Sequence, residues 1–252
     1  MNEYLDIATE AAREAGALQR RAFRTGHRVA YKSPDDIVTD VDTRAEAVIT
    51  ERITDSFPNH AILAEESGER GTSPYRWIVD PLDGTTNFAQ GIGHFCVSIA
   101  LEIDGSLELG VVYHTPEDDL YTGVRNEGAF CNGETISVSN VDRFDQAIVG
   151  IEYSPRDVER NDVLEMLTEL TVRARRTRHL GSSASELAML SRSAFDGVYG
   201  TRFHPWDVAA GIVLVEEAGG TVTQLRGTGY GGSYAVSNGY VHDDLLKCLE
   251  TA

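Results

Sequence analysis

The chain has 252 residues and a formal net charge of −18, long enough to bury a sizeable core as one domain or as two closely joined lobes. So acidic a balance argues against DNA or RNA as a partner, because backbone binding depends on Lys and Arg neutralising phosphates. No apolar run is long enough to span a bilayer, so no membrane partner is expected. Cys96, Cys131 and Cys248 are scattered, which excludes a disulfide framework or a thiolate zinc site and leaves them as small core fillers.

The first residues carry acids and run into a helical pattern rather than a secretory signal, so a cytoplasmic location is expected. Leu5, Ala8, Ala12, Ala15, Leu18 and Ala22 recur at steps of three and four, predicting an amphipathic opening helix. After the turn-like Ser33-Pro34-Asp35-Asp36, a second helix is predicted from about Asp42, ending before Pro58. Strands then dominate: Ile62-Leu63-Ala64, Trp77-Ile78-Val79, Phe95 to Ile103, Leu107 to Tyr113 and Leu120 to Val124. Gly128 to Gly133 followed by Ile136-Ser137-Val138 reads as a tight hairpin. From Gln146 the pattern alternates strand, helix, strand, helix over Ala147–Tyr153, Val163–Arg176, Ser182–Ser193 and Pro205–Glu217, which implies an α/β lobe. The expected division is an α+β lobe over 1–145 and an α/β lobe over 146–252.

The most informative stretch is Asp80-Pro81-Leu82-Asp83-Gly84-Thr85-Thr86-Asn87-Phe88. A strand would deliver Asp80 and Asp83 to a turn, where their oxygens can hold hard cations. Gly84 and Thr85 would offer backbone N–H groups at a helix start, a place suited to phosphate. Glu65 stands just past another strand and Asp207 on the first turn of a helix. Taken singly, each acid is more often a cap, a turn former or a solvated side chain. Gathered together they would repel unless cations or shared protons intervene. The only lysines are Lys32 and Lys247, and acids occupy solvent-facing positions throughout, a bias that matches a halophilic surface needing salt to screen it.

Glu65-Glu66-Ser67, Asp80 to Phe88, and Trp206-Asp207-Val208-Ala209-Ala210-Gly211, in this order and spacing, resemble the inositol monophosphatase family of magnesium-dependent, lithium-sensitive phosphatases. Lys32-Ser33, Val38 to Asp42, Gly128 to Gly133 and Gly219-Gly220 support the match. The resemblance implies a layered α/β/α/β/α sugar phosphatase fold, a homodimer, and two to three Mg²⁺ ions, replaceable by Mn²⁺. Carried over, Glu65, Asp80 and the Leu82 carbonyl would bind one metal; Asp80, Asp83 and Asp207 would bind a second; Glu65 would touch a third. Thr85, oriented by Asp42, and Glu65 would position the attacking water, and the Gly84 and Thr85 N–H groups would hold the phosphate. Gly181-Ser182-Ser183 would contact substrate hydroxyls, and Lys32 to Asp42 would be a mobile loop over the site.

One position departs from the family pattern. Members acting on inositol phosphate commonly carry a glutamate six residues before the motif tryptophan; here it is Gly200. Arg202, Tyr153 or Arg178 could meet a second phosphate, pointing to fructose 1,6-bisphosphate beside inositol 1-phosphate, although Arg202 reads equally as a surface ion-pair member. The alternatives are a phosphatase for 3'-phosphoadenosine 5'-phosphate, for which no adenine pocket is evident, and a non-catalytic metal- or phosphate-binding scaffold, whose expected loss of a carboxylate or of Thr85 is absent.

Overall fold

A computed structural model describes residues 1–34, 36–153 and 161–250. In chain order the elements are α1 (Asn2–Ala22), β1 (Val29–Ser33), β2 (Asp36–Thr39), α2 (Asp40–Ser56), β3 (Ala61–Ala64), β4 (Gly68–Arg70), β5 (Tyr75–Asp83), α3 (Thr85–Ala89), β6 (Cys96–Ile103), β7 (Ser106–His114), β8 (Asp119–Val124), β9 (Gly128–Cys131) and β10 (Glu134–Thr135). There follow β11 (Ile148–Glu152), α4 (Asn161–Arg173), β12 (Arg176–Arg178), α5 (Ser183–Ser191), β13 (Gly197–Phe203), α6 (Pro205–Glu217), β14 (Thr221–Thr228), β15 (Gly231–Ser237) and α7 (His242–Glu250).

Two sheets organise the molecule. The larger runs β10-β9-β8-β7-β6-β5-β3-β4 and is antiparallel except for the parallel β3–β5 pair. The smaller runs β12-β11-β13-β15-β14, with β12, β11 and β13 parallel and β15 antiparallel to both neighbours. The alanine stripe of α1 and Ala45, Ile49 and Ile53 of α2 pack on one face of the large sheet, against Trp77, Val79, Ile99 and Val111. Those small side chains let the helices lie close to the sheet, and each larger side chain buried there contributes roughly 1.5–3 kcal/mol.

On the opposite face, α5 and α6 form a layer between the sheets, their Leu187, Val208, Ile212 and Leu214 sharing one core with Ile78, Tyr121, Val198 and Val236. Both faces of α6 are therefore covered, and its sequence is accordingly apolar nearly all round. The outer helices α4 and α7 close the far side of the small sheet through Met166, Leu170 and Leu245. The layering is α/β/α/β/α.

Four local features differ from the expectations. Ser182–Ser193, expected as a strand, forms α5, because Ala184, Leu187, Ala188 and Leu190 recur at helical steps and bury one face against α6. Lys32 to Asp42 is not a bare loop: β1 and β2 form a hairpin arm that runs into α2, with Asp35 outside the described residues. The second helix begins at Asp40, because Thr39 and Asp42 cap it. The Gly128 hairpin pairs with Glu134 and Thr135 and reaches only to Ile136, whose N–H donates to the Ala129 carbonyl at 3.0 Å; Val138 leaves the sheet to donate its N–H to the Ala218 carbonyl at 3.1 Å.

Candidate active site

The central stretch is built by a strand that slips. β5 continues through Asp83, but Asp80 lies opposite Ser98 and Asp83 opposite Cys96, so three steps on β5 match two on β6. Pro81 has no N–H to give to the ladder at that point. In a regular strand, residues three apart face opposite sides; the extra residue corrects that parity and lets both carboxylates join one cluster. Gly84 then turns at φ 91°, and a Cβ there would lie 3.0 Å from the His94 carbonyl oxygen, so glycine alone suits the turn into α3.

Glu65, just past β3, is tied to the same edge by its N–H on the Val79 carbonyl (3.1 Å). Asp207, at the start of α6, accepts from the His204 N–H (2.7 Å). The structure thus brings Glu65, Asp80, Asp83 and Asp207 together from three separate segments. Burial, then repulsion from Glu65, Asp83 and Asp207, pushes the Asp80 carboxyl well above its ordinary range. Asp207 moves the same way, through burial and then Asp83. Asp83 is raised to about 6 by burial, against the opposing pull of its bonds to Ser182 and Ala184.

Lys32, reaching in from the hairpin arm, places its ammonium 2.9 Å from Glu65 and 2.6 Å from Glu66. Sequence alone gives no sign of this contact. Burial disfavours the lysine's charge, but the bonds to Glu66 and Glu65 outweigh that and raise its pKa. A cation already at the edge of the cluster fits what the carboxylates demand. Their all-oxygen, anionic donor set suits a hard divalent ion such as Mg²⁺ or Mn²⁺. Among the described residues no three Asp, Glu, His or Cys side chains are already closed on one metal-sized point, so the fit lies in donor chemistry and proximity rather than in a preformed cage.

Thr85 opens α3 beside this cluster. Its hydroxyl lies 2.8 Å from an Asp42 oxygen and 2.9 Å from the Leu82 carbonyl. Asp42 is fully buried; its other oxygen accepts from the Thr39 hydroxyl (2.5 Å) and N–H (2.9 Å). Burial raises the Asp42 pKa while the Thr39 and Thr85 bonds oppose it. With its proton committed to Asp42 or Leu82, Thr85 keeps lone pairs with which to accept from a water.

The far wall comes from the second half of the chain. Ser182 Oγ and the Ala184 N–H donate to one Asp83 oxygen at 2.7 and 2.8 Å, so Asp83 satisfies the N-terminus of α5 as well as facing the other acids. Asn87 ties the two halves, donating to the carbonyls of His94 (2.8 Å) and Leu180 (2.7 Å). Gly181 is exposed with φ 72°, and Ser183 is half-buried as the first residue of α5.

Arg202 is exposed on β13 at φ 53°, within the irregular stretch between Gly200 and Phe203. Tyr153 stacks on His179 (4.8 Å between centroids), and Arg178 is exposed with its guanidinium on the Thr177 carbonyl. At Gly200 a Cβ would fall 1.9 Å from the Phe203 ring. The aromatic ring fills the space that a larger residue at 200 would need, which accounts for the missing glutamate. Sequence reasoning also misses Glu152 and Glu186, which lie behind Leu180 and Gly181; their only signal is an acid inside otherwise apolar runs.

Comparison with known proteins agrees with this architecture. The family model described as "Inositol monophosphatase family" matches residues 1–250, and the chain belongs to that family. It is 39% identical over 233 residues to the Nus factor SuhB of Escherichia coli, covering 90% of this chain and 87% of that protein. The extragenic suppressor protein SuhB of Bartonella henselae superposes with a TM-score of 0.93 at 33% identity, covering 99% of both chains. The inositol monophosphatase of Anabaena (Nostoc) superposes with a TM-score of 0.90 at 37% identity, covering 100% of this chain and 96% of the other.

Proposed function

We propose that this protein is a metal-dependent phosphomonoesterase acting on small sugar or polyol phosphates, with fructose 1,6-bisphosphate and inositol 1-phosphate as the candidate substrates. The observation that carries the reading is the Asp42–Thr85 hydrogen bond set beside four gathered carboxylates, a combination with no purpose in a passive acidic surface. Family membership supports phosphatase chemistry.

In this reading Glu65, Asp80, the Leu82 carbonyl, Asp83 and Asp207 hold the divalent ions. Bound there, Mg²⁺ would supply charge neutralisation and water acidification for attack at phosphorus. The chain's own residues do the positioning. Thr85, its hydroxyl proton directed to Asp42, accepts from the attacking water, and Glu65 takes a second hydrogen bond from it. The N–H groups of Gly84 and Thr85, which lack helical acceptors, hold phosphate oxygens. Gly181, Ser182 and Ser183 border the sugar hydroxyls. With Phe203 in place of an acidic anchor near Gly200, recognition of an inositol ring loses one contact, and Arg202 is the candidate for a second phosphate.

The test is a phosphate-release panel with Mg²⁺ at high salt, covering fructose 1,6-bisphosphate, inositol 1-phosphate and 3'-phosphoadenosine 5'-phosphate. Release from the first two that is abolished by chelation is expected; release from the adenosine compound alone, or none, would overturn it. Arg202→Ala should raise KM selectively for the bisphosphate, whereas equal effects on both substrates would remove Arg202 from that role.

A second reading follows from the relatives named Nus factors, one of which is 39% identical over 90% of this chain. The fold would then serve as a binding module. With a net charge of −18, its partner surface would be basic protein rather than nucleic-acid backbone. Retention of partner binding by a variant without turnover would favour this reading.

A further inference from the structure

Glu186 lies in α5 with its side chain wholly buried (0% exposed). One of its oxygens, Oε1, accepts from the Leu180 N–H at 2.8 Å. The other, Oε2, meets no donor among the described residues. Beside the Glu186 carboxyl lies a second one, that of Glu152 at the end of β11, within hydrogen-bonding reach of it. Glu152 is itself buried, and its Oε1 accepts from the Gly181 N–H at 2.9 Å. Room for the pair is made by Gly150, where a Cβ would fall 2.3 Å from Glu186 Oε2.

Two ionised carboxylates cannot hydrogen-bond each other, since each only accepts. A buried acceptor without a donor is costly, the more so when charged, and two like charges at this separation rarely both ionise. One proton resolves both problems: it converts the orphaned oxygen into one end of a carboxylic acid–carboxylate bond. We propose that Glu152 and Glu186 hold a single proton between them and act as positioning residues, fixing the Leu180-Gly181-Ser182 segment against the phosphate turn.

The segment is gripped from both sides. The acid pair takes the N–H groups of Leu180 and Gly181, and Asn87 takes the carbonyls of Leu180 and Gly181 at 2.7 and 3.3 Å. The next residue, Ser182, donates to Asp83. A change at Glu186 is thereby transmitted to the wall of the site without contact with substrate.

The charged surroundings, among the described residues, point one way. Glu186 faces Glu152 from β11 and Asp83 from the end of β5; Asp207 at the start of α6 acts on Glu152. His179, beyond β12, lies 3.5 Å from Glu152 Oε2, its Nδ1 also 2.7 Å from the Ile151 carbonyl. Burial first, then Glu152 and last Asp83, raise the Glu186 carboxyl well above its ordinary range, the direction a shared proton requires. Loss of that proton at alkaline pH would place a second negative charge beneath the segment and release it.

The segment's role beside the substrate rests on the phosphatase reading; the proton and the grip do not, and both are measured without substrate. Infrared spectra of the wild-type protein at pH 7.5 should contain a protonated-carboxylic-acid C=O band that is absent from Glu186→Gln, whose amide can both accept from Leu180 and donate to Glu152. Hydrogen exchange at the Leu180 and Gly181 amides should stay within about twofold of wild type in Glu186→Gln at pH 7.5, and rise at least tenfold in Glu186→Ala. At alkaline pH the wild type should lose this protection while Glu186→Gln keeps it, and the wild-type KM should rise there with kcat little changed. Absence of the acid band, or exchange in Glu186→Gln as fast as in Glu186→Ala, would overturn the proposal. An inactive wild type that still shows the band and the protection would count against the phosphatase reading and support the pair.

Discussion

Asp83→Asn separates the metal-binding account from a merely structural one, because it should stabilise the metal-free protein while disabling it. One Asp83 oxygen accepts from Ser182 and Ala184, and an asparagine oxygen can keep both bonds. What the substitution removes is a buried negative charge. The carboxyl is raised from 3.8 to about 6, so the stability linked to its proton is fully present below pH 3.8 and lost as pH rises through about 6. At pH 7.5 the ionised group therefore costs the folded state up to about 3 kcal/mol, taking about 1.4 kcal/mol for each pH unit that separates the two values. Asn is neutral throughout and escapes that cost. In chelator at pH 7.5 the variant should melt higher than wild type, by up to roughly 6–12 °C for a chain of this size, and the gap should close towards pH 4. On addition of Mg²⁺ the order should reverse, because wild type gains stability by binding and the variant loses a ligand. Differential scanning calorimetry with and without Mg²⁺ reads both arms. A variant that melts lower than wild type in chelator would refute the reasoning, showing that the Asp83 charge stabilises the fold as a helix cap rather than awaiting a cation.

Three further outcomes follow from the same geometry. Thr85→Val removes the hydroxyl that Asp42 orients while Asp42 keeps both Thr39 bonds; turnover should fall roughly 10²–10³-fold with the Mg²⁺-induced rise in melting temperature unchanged, and wild-type turnover would remove Thr85 from the mechanism. His94 and His114, whose Nδ1 and Nε2 lie 3.4 Å apart, are both lowered from 6.5 to about 4, chiefly by burial. Their contribution is present above pH 6.5 and lost as pH falls through 4, so His114→Gln should reduce the slope of stability against pH in that window by about 1.4 kcal/mol per pH unit; an unchanged slope in urea titrations would contradict this. With a net charge of −18, the melting temperature should climb as salt is raised to the molar range, and a salt-independent value would dismiss the halophilic reading.

What can be read from sequence is what lies close together in it. Asp80 to Phe88 carries its chemistry in one stretch, and Glu65 and Asp207 are legible because each ends or begins an element marked by an apolar run. The helix over Pro205–Glu217 is where Pro205 and Gly219-Gly220 place it. The parity problem between Asp80 and Asp83 is invisible, since a bulge is a property of two paired strands. Lys32 lies 33 residues from its partner Glu65, and nothing in its own neighbourhood announces the contact. The antiparallel β13–β15–β14 arrangement and the Glu152–Glu186 contact likewise arise only when distant segments meet. The departure at Gly200 is plain in sequence, but its cause, the Phe203 ring, emerges only once the strand is folded.

The account depends most on divalent ions gathering the acids that precede, form and follow the central turn. Crystals grown with Mn²⁺ and measured at a wavelength where manganese scatters anomalously would locate the ion directly. Anomalous peaks within coordination distance of Asp80, shared with Glu65 on one side and with Asp83 and Asp207 on the other, are the predicted result. Peaks confined to other surface acids, with Asp80 untouched and Lys32 still on Glu65, would contradict it.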